Sequence, residues 1–336
     1  MKVAFFDSHG FEQNVFKEEN NKFHHEITFF ETRLTEQSAN LAAGFPCICA
    51  FVNDRLDRNT LQILSSSGSK LIALRSAGFN HVDLKAAQEF GLRVARVPEY
   101  SPHAVAEHAI ALILSLNRKI HRAYSRVRES NFSLDGLVGF DLFKKSVGLV
   151  GTGRIGSVLA KILTGFGCEV IAHDIIQDPK LIELGVKYVS LNELLSKSDI
   201  ISLHVPLTPQ THHLIDEKAL SLTKPGVMII NTGRGALINT KALIQFLKSG
   251  HIAYAGLDVY EEEEGIFFEN LSEQILHDDQ LARLLTFPNV LLTSHQAFLT
   301  QEALSNIAQT TLQNISDFES GKSLVNEVCA EKHVKS

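Results

Sequence analysis

Short apolar runs separated by polar, periodic stretches organise the first hundred residues. The runs cover residues 3–6, 27–30, 47–52, 71–74 and 94–97. Each has the length of a strand buried on both faces. Segments between them, such as 83–90, have the spacing of helices. Strand and helix in alternation predict a parallel sheet covered by helices. Ser101-Pro102-His103 then opens a longer helical pattern. Ser101 can cap it, Pro102 suits its first turn, and Glu107 comes early enough to favour the helix dipole. Val105, Ala109, Leu112, Leu116 and Ile120 recur at helical spacing, which predicts one helix running to about Arg128, long enough to bridge two domains. A second alternating series begins at Lys145, with apolar runs at 147–150, 170–172, 200–203, 227–230, 253–259 and 290–292. Six such runs match the strand number of a full dinucleotide-binding domain. A final helical stretch, 300–320, precedes a polar tail. If it crosses back, the end of the chain completes the first domain.

Composition narrows the class. The chain has 336 residues, which suggests two domains at roughly 150 residues each. Hydrophobic residues make up 44% and charged residues 21%, excluding collagen-like, disordered and coiled-coil chains. With 32 basic and 38 acidic residues the net charge is −6, a poor basis for general binding of nucleic acid or anionic membrane. The apolar run at 3–6 is too short for a signal-peptide core, and the apolar stretch at 109–116 stops short of a membrane span. Cys47 and Cys49 alternate within an apolar run and would share one strand face, which suits buried small residues better than a metal site. No metal is expected, and the expected setting is the reducing cytoplasm.

Gly151-Thr152-Gly153-Arg154-Ile155-Gly156 directly follows the run at 147–150 and precedes an apolar-periodic stretch at 157–166. A lone G-x-G-x-x-G is weak, but strand before and helix after give it meaning. Gly151 permits a tight turn, Gly153 lets the backbone approach a pyrophosphate, and Gly156 allows close helix–strand packing. The helix N-terminus would face the phosphates with free N–H groups. Asp174, at the end of the next strand, lies near the expected distance for a ribose 2′-hydroxyl acceptor. A carboxylate there would repel a 2′-phosphate, so NAD is favoured over NADP.

Ligands of open α/β sheets gather at the carboxyl ends of the strands. The run at 227–230 leads to Asn231-Thr232-Gly233-Arg234-Gly235; the run at 253–259 contains Asp258 and leads to Tyr260 and four glutamates, 261–264; the run at 290–292 leads to Thr293-Ser294-His295. An Arg, acidic residues and a His thus share the edge where a nicotinamide would lie. An Arg can clamp a 2-oxo acid's carboxylate, and a His can donate a proton to its carbonyl oxygen. A carboxylate on the far imidazole nitrogen would fix the tautomer and stabilise the imidazolium. Singly, each group is as well explained as a surface charge or cap, and His295 is one of 15 histidines.

These motifs resemble the D-isomer-specific 2-hydroxyacid dehydrogenase family over nearly the whole chain. The marks are the Gly151–Gly156 loop, Asn231-Thr232-Gly233-Arg234-Gly235, Gly256-Leu257-Asp258-Val259-Tyr260-Glu261-Glu262-Glu263, and His295. The resemblance implies an α/β fold of two doubly wound parallel-sheet domains. A Rossmann NAD-binding domain, residues 101–298, is inserted into a flavodoxin-like substrate domain, residues 1–100 plus 299–336. It implies an Arg–Glu–His catalytic set of Arg234, Glu263 and His295. Glu263 is chosen by its place in the motif, since spacing alone cannot select among four adjacent glutamates. Implied cofactor contacts are Arg154 and Ile155 at the pyrophosphate, Asp174 at the ribose, Val205 and Pro206 beside the adenosine half, and Thr232, Gly233, Arg234 and Asp258 towards the nicotinamide. Thr211, where relatives often carry Asn, is implied as a peripheral contact. Arg75-Ser76-Ala77-Gly78 resembles the loop whose backbone N–H groups cradle the substrate carboxylate, so Ser76, Ala77 and Gly78 join Arg234 and His295 as substrate-binding residues.

Several stretches, among them Leu74-Arg75-Ser76-Ala77-Gly78-Phe79-Asn80 and His295-Gln296-Ala297-Phe298-Leu299-Thr300, are most similar to the family's fermentative branch, which reduces pyruvate to D-lactate. Tyr100 and Phe298 fall where that branch lines a small pocket. Glu rather than Gln at 263 argues against the formate dehydrogenase branch, and the length leaves little room for an added regulatory domain. The partner expected is therefore a small 2-oxo or 2-hydroxy acid, in a homodimer or homotetramer. Two other readings stand beside it: a dehydrogenase for larger acids such as phenylpyruvate or 2-oxoisocaproate, and a dinucleotide-sensing protein without turnover, like the corepressors related to the family.

Overall fold

The computed structural model describes residues 1–330; the segment 331–336, assigned to the substrate domain from sequence, lies outside the described residues. The chain divides into two compact units, Met1–Ser101 with Phe298–Ser336, and Pro102–Ala297.

In the first unit, β1 (Lys2–Phe5), β2 (Glu26–Phe29), β3 (Cys47–Ala50), β4 (Leu71–Leu74) and β5 (Arg93–Ala95) form a parallel sheet in the order β2-β1-β3-β4-β5. Helices α1 (Gly10–Asn20), α2 (Arg58–Ser66) and α3 (Leu84–Glu89) connect them. Both faces are covered, so successive residues enter opposite cores. Ile48 and Ile72 pack with Leu61, Leu64 and Ala86 on one side. Cys47, Cys49 and Leu71 pack with Phe16, Ile307 and Leu312 on the other. The two cysteines therefore share a buried face, as their alternation predicts.

The second unit begins with α4 (Pro102–Arg118) and α5 (Ile120–Arg128). Its sheet contains β6 (Ser146–Val150), β7 (Glu169–His173), β8 (Lys187–Tyr188), β9 (Ile200–Leu203), β10 (Val227–Asn231), β11 (Ile252–Leu257) and β12 (Val290–Leu292), all parallel, in the order β8-β7-β6-β9-β10-β11-β12. This is the doubly wound order, with its switch point between β6 and β9. Helices α6 (Arg154–Gly165), α7 (Pro179–Glu183), α8 (Leu191–Lys197), α9 (Glu217–Ser221), α10 (Thr240–Lys248) and α11 (Asp279–Thr286) cover it. Along β10, Met228 and Ile230 join the core under α4 and α6, while Val227 and Ile229 join the core under α8 to α11. The last segments, α12 (Gln301–Glu319) and β13 (Glu327–Val328), return to the first unit, where β13 adds antiparallel to β5.

Four details correct the sequence reading. The second sheet has seven strands rather than six, because two-residue β8 is too short to show a pattern. The helix expected to run to Arg128 ends at Arg118, and Lys119 takes the left-handed conformation at φ +51. Nearby, the buried Asn117 side chain exchanges two hydrogen bonds with the Phe140 backbone, at 2.6 and 2.7 Å, and ties α4 to the chain entering β6. Ile120, counted with the buried stripe, begins α5 and is 54% exposed. Glu107 lies past the first turn of α4, which holds no acidic residue.

Arg75 shows how the first unit spends a charge. Its side chain is fully buried and bonds both carboxylate oxygens of Glu12 at 3.0 Å. Its remaining donors reach the carbonyls of Phe6, Asp7 and Cys49, and the guanidinium lies 3.9 Å from the Phe5 ring centroid. Every strong hydrogen bond is made, so removing one partner leaves an uncompensated buried charge. Arg75→Leu is expected to cost the full chain about 3–5 kcal/mol, read from its denaturant midpoint; a midpoint unchanged from wild type would contradict this account of the pair.

Candidate active site

The glycine loop shapes the switch point. Gly151, at φ +97, turns the chain after β6, and a Cβ there would lie 2.7 Å from the His204 carbonyl carbon. At Gly156 a Cβ would come within 2.1 Å of the Gly151 carbonyl oxygen, so α6 starts directly against the turn. Gly153 is different: nothing lies within 4 Å of its Cβ position, and its exposed backbone can be approached. Gly153 caps α6 without a side-chain bond, and a helix N-terminus is where backbone amides and the dipole can meet an anion. Arg154 is exposed and Ile155 half-buried at that helix start.

Asp174 follows β7 and is tied to the same loop. One oxygen accepts from the Thr152 amide at 2.6 Å and its hydroxyl at 3.0 Å; the other accepts from Ile176 at 3.2 Å. Partial burial opposes ionisation, but these hydrogen bonds outweigh it and hold the carboxyl below its ordinary pKa. A carboxylate has further lone pairs for ribose hydroxyls. Ile175 beside it is 99% exposed, apolar surface of the kind a nucleobase stacks on, which the sequence reading passed over. Val205 and Pro206 leave the end of β9, half-buried and exposed. The Thr211 hydroxyl closes its own loop, donating to the Pro206 carbonyl at 2.6 Å and accepting from the Thr208 amide at 2.8 Å.

After β10 the buried Asn231 organises the next turn. It accepts from the Gly233 amide at 3.0 Å and donates to the Arg234 carbonyl at 2.8 Å. Gly235 passes so near Tyr260 that a Cβ would lie 1.9 Å from its carbonyl oxygen. Arg234 is half-buried, donates to the Gly233 carbonyl at 2.7 Å and has no carboxylate partner among the described residues. The Thr232 hydroxyl is buried without a hydrogen-bond partner among the described residues. An open Gly153, a helix start without a side-chain cap and a Thr232 hydroxyl with no partner among the described residues fit an extended dinucleotide.

His295 and Glu263 meet as the resemblance implies, with Nδ1 to Oε1 at 3.0 Å. The choice of Glu263 among four glutamates is physical. Glu261 is occupied: one oxygen accepts from His213 Nε2 and the other from the Thr240 amide at 3.1 Å. Asn239 uses its oxygen to cap α10 at Ala242, so only its NH₂ group can face His213 Nδ1, at 3.4 Å. His213 Nε2 therefore carries the hydrogen, which suits Glu261 and not a metal bound at that atom. Glu262 and Glu264 are exposed.

Asp258, which the resemblance places towards the nicotinamide, is fully buried, and its carboxylate holds the His295 turn. It accepts from the Thr293 hydroxyl at 2.6 Å, the Gln296 amide at 2.9 Å and the Ala297 amide at 2.8 Å, while its carbonyl accepts from the His295 amide at 2.7 Å. Burial works to raise its pKa, but hydrogen bonds from His108, Thr293 and Ala297 prevail and hold it low. His295 sits at φ +53, a left-handed conformation costing on the order of 1 kcal/mol, and Asp258 supplies the bonds that maintain it.

In the first unit, the carbonyls of Ser76, Ala77 and Gly78 are all engaged, by the Val97 amide, Arg96 Nη1 and the Ser76 hydroxyl respectively. Their three N–H groups have no acceptor among the described residues, the arrangement of an anion nest. Arg75, which precedes them, is committed to Glu12. Tyr100 and Phe298 come together edge-on with ring centroids 6.2 Å apart, and Phe11 packs against Phe298 at 6.3 Å.

Residues 110–297 match the family model described as "D-isomer specific 2-hydroxyacid dehydrogenase, NAD binding domain". The chain is 54% identical over 321 residues to the 2-hydroxyacid dehydrogenase homolog 1 of Schizosaccharomyces pombe, covering 95% of this chain and 97% of that one. It is 50% identical over 328 residues to a D-lactate dehydrogenase of Escherichia coli, covering 98% and 100%. Among solved structures, the apo form of D-lactate dehydrogenase from Escherichia coli superposes with a TM-score of 0.90 over 98% of this chain and all of that one, at 49% identity. The pyruvate reductase of Chlamydomonas reinhardtii does so with 0.93 over 97% and 98%, at 46% identity. Matched along nearly its whole length, with a dinucleotide-binding unit of the doubly wound order, the chain belongs to the D-isomer-specific 2-hydroxyacid dehydrogenase family of NAD-dependent oxidoreductases.

Proposed function

We propose that the chain is a D-lactate dehydrogenase, catalysing pyruvate + NADH + H⁺ ⇌ D-lactate + NAD⁺ with the hydride supplied by the dinucleotide. The observation that carries this reading is the 3.0 Å His295–Glu263 pair on the sheet edge that also bears Arg234, which has no carboxylate partner among the described residues. Identity of 50% to the Escherichia coli enzyme supports the substrate assignment. In this reading Arg234 grips the substrate carboxylate, and protonated His295 gives its Nε2 proton to the keto oxygen. Glu263 accepts from Nδ1, which keeps the proton-bearing Nε2 available and stabilises the imidazolium. Substrate-binding roles are proposed for the N–H groups of Ser76, Ala77 and Gly78, and for Tyr100 and Phe298 as pocket walls. Gly151, Gly153, Arg154, Ile155, Gly156, Asp174, Val205, Pro206, Thr211, Thr232, Gly233, Arg234 and Asp258 are proposed for the cofactor, Asp258 through the turn it supports. The unit Pro102–Ala297 is proposed as the NAD-binding domain and the other as the substrate domain.

NADH oxidation measured across a panel of 2-oxo acids tests this assignment. Pyruvate is expected to give the highest kcat/KM. Preference for phenylpyruvate or 2-oxoisocaproate would move the assignment to larger acids, and NADH binding without turnover on any acid would favour a sensor. Asp174 gives a separate expectation. Asp174→Ser should lower kcat/KM for NADH by about 10- to 100-fold, the worth of hydrogen bonds to a charged group, and narrow the NADH-to-NADPH ratio; an unchanged ratio would contradict its assignment to the ribose.

We also propose a homodimer or homotetramer in the cytoplasm. Support comes from α5, whose Ile120, Tyr124 and Val127 are 54, 63 and 52% exposed on one helical face, and from Phe132 and Leu134 just beyond, at 73 and 79%. Among the described residues no helix is long and apolar enough to cross a membrane. Light scattering on the purified chain reads the mass directly.

A further inference from the structure

His108, on α4, is far in sequence from Arg234, Glu263 and His295. Its Nε2 nonetheless lies 3.1 Å from Thr293 Oγ1 and 3.3 Å from Asp258 Oδ1. Counting protons fixes what it does there. Thr293 spends its one hydroxyl hydrogen on Asp258 Oδ1, so its oxygen can only accept from His108. The Asp258 carboxylate, ionised, can only accept. Nε2 of His108 therefore carries a hydrogen directed at two acceptors. Asp258 is fully buried, and its other side-chain donors are the Thr293 hydroxyl and the amides of Gln296 and Ala297. Removing His108 takes one donor from a buried charge and leaves the Thr293 hydroxyl without the partner that orients it. Thr293 lies two residues before His295, in the turn whose left-handed backbone Asp258 maintains.

We propose that His108 is a positioning residue for His295, acting through Thr293 and Asp258. It completes the donor set that keeps the 293–297 turn in the conformation presenting the imidazole to Glu263. The inference deepens the proposed function and rests on the proton-transfer role given there to His295. It also accounts for an ionisable side chain on α4 that the reaction does not otherwise employ.

Three full-length variants test it. His108→Leu fills the space without a donor, His108→Asn has an amide too short to reach, and His108→Gln places an N–H near the position of Nε2. The Leu and Asn variants should lose about 10- to 100-fold in kcat on pyruvate, the cost of misplacing a reacting group. KM for pyruvate and Kd for NADH should stay within about twofold, as expected when only transition-state interactions are lost. His108→Gln should recover most of the rate. A second readout needs no substrate: in ¹⁵N-histidine spectra, the His295 imidazole signal, assigned by its disappearance in His295→Asn, should shift or broaden in the Leu and Asn variants and return in Gln. Should His108→Leu fail to fold, the Asn–Gln pair, differing by one methylene, carries the same comparison. Equal kcat in Asn and Gln variants, or a His295 signal indifferent to all three substitutions, would overturn the proposal. A wild-type protein that reduces no 2-oxo acid would instead overturn the functional reading, with the spectra still deciding the positioning role.

Discussion

Arg234→Gln is expected to lower kcat/KM for pyruvate by about 10²- to 10⁴-fold. The estimate follows from two charge-assisted hydrogen bonds to a carboxylate, each worth roughly 1.5–3 kcal/mol. Most of the loss should fall on KM, because the carboxylate is held alike in ground state and transition state; a smaller loss in kcat would report contact with the keto oxygen. Arg234→Lys should recover little, since an ammonium supplies a point charge and not the planar fork. The structure favours this outcome because, among the described residues, the Arg234 guanidinium donates one hydrogen bond, to the Gly233 carbonyl, and faces no carboxylate. Full kcat/KM in Arg234→Gln would remove the residue from the mechanism.

His295→Asn is expected to act on the other parameter. An amide can hydrogen-bond a carbonyl oxygen but cannot deliver a proton to it, so kcat should fall by about 10²- to 10⁴-fold, the usual contribution of general acid–base catalysis. NADH binding should hardly change. The chain contains no Trp, so that affinity is best read from the cofactor's own fluorescence. A kcat within about threefold of wild type would be incompatible with proton transfer by His295, because even the weakest general-acid contribution exceeds it.

Much of this was visible in the chain itself, for identifiable reasons. Strands buried on both faces produce uninterrupted apolar runs; β3, β4 and β9 lie inside the runs that predict them, and β10 extends one residue past its run, to Asn231. Strands β8 and β13 are two-residue edge pieces and leave no such trace. The break at Lys119 was hidden because no residue nearby is a helix breaker; Asn117 makes its bonds to Phe140, 23 positions away. Chemistry follows the same division. The Gly151–Gly156 loop is local, so its spacing announces it. Which glutamate faces His295 depends on His213 and Thr240 holding Glu261, contacts 48 and 21 residues distant. Arg75 shows the limit most clearly. From its place beside Ser76, Ala77 and Gly78 it looks like part of the site, but Glu12, 63 residues earlier, takes its charge into the core. Asp258 is the converse, a motif residue whose carboxylate holds the turn that bears His295.

The most direct test of the account is chiral analysis of the product formed from pyruvate and NADH by the wild-type chain. Equimolar D-lactate with NADH consumption is the predicted result. L-lactate, or no NADH consumption with pyruvate under conditions where the dinucleotide binds, would contradict it.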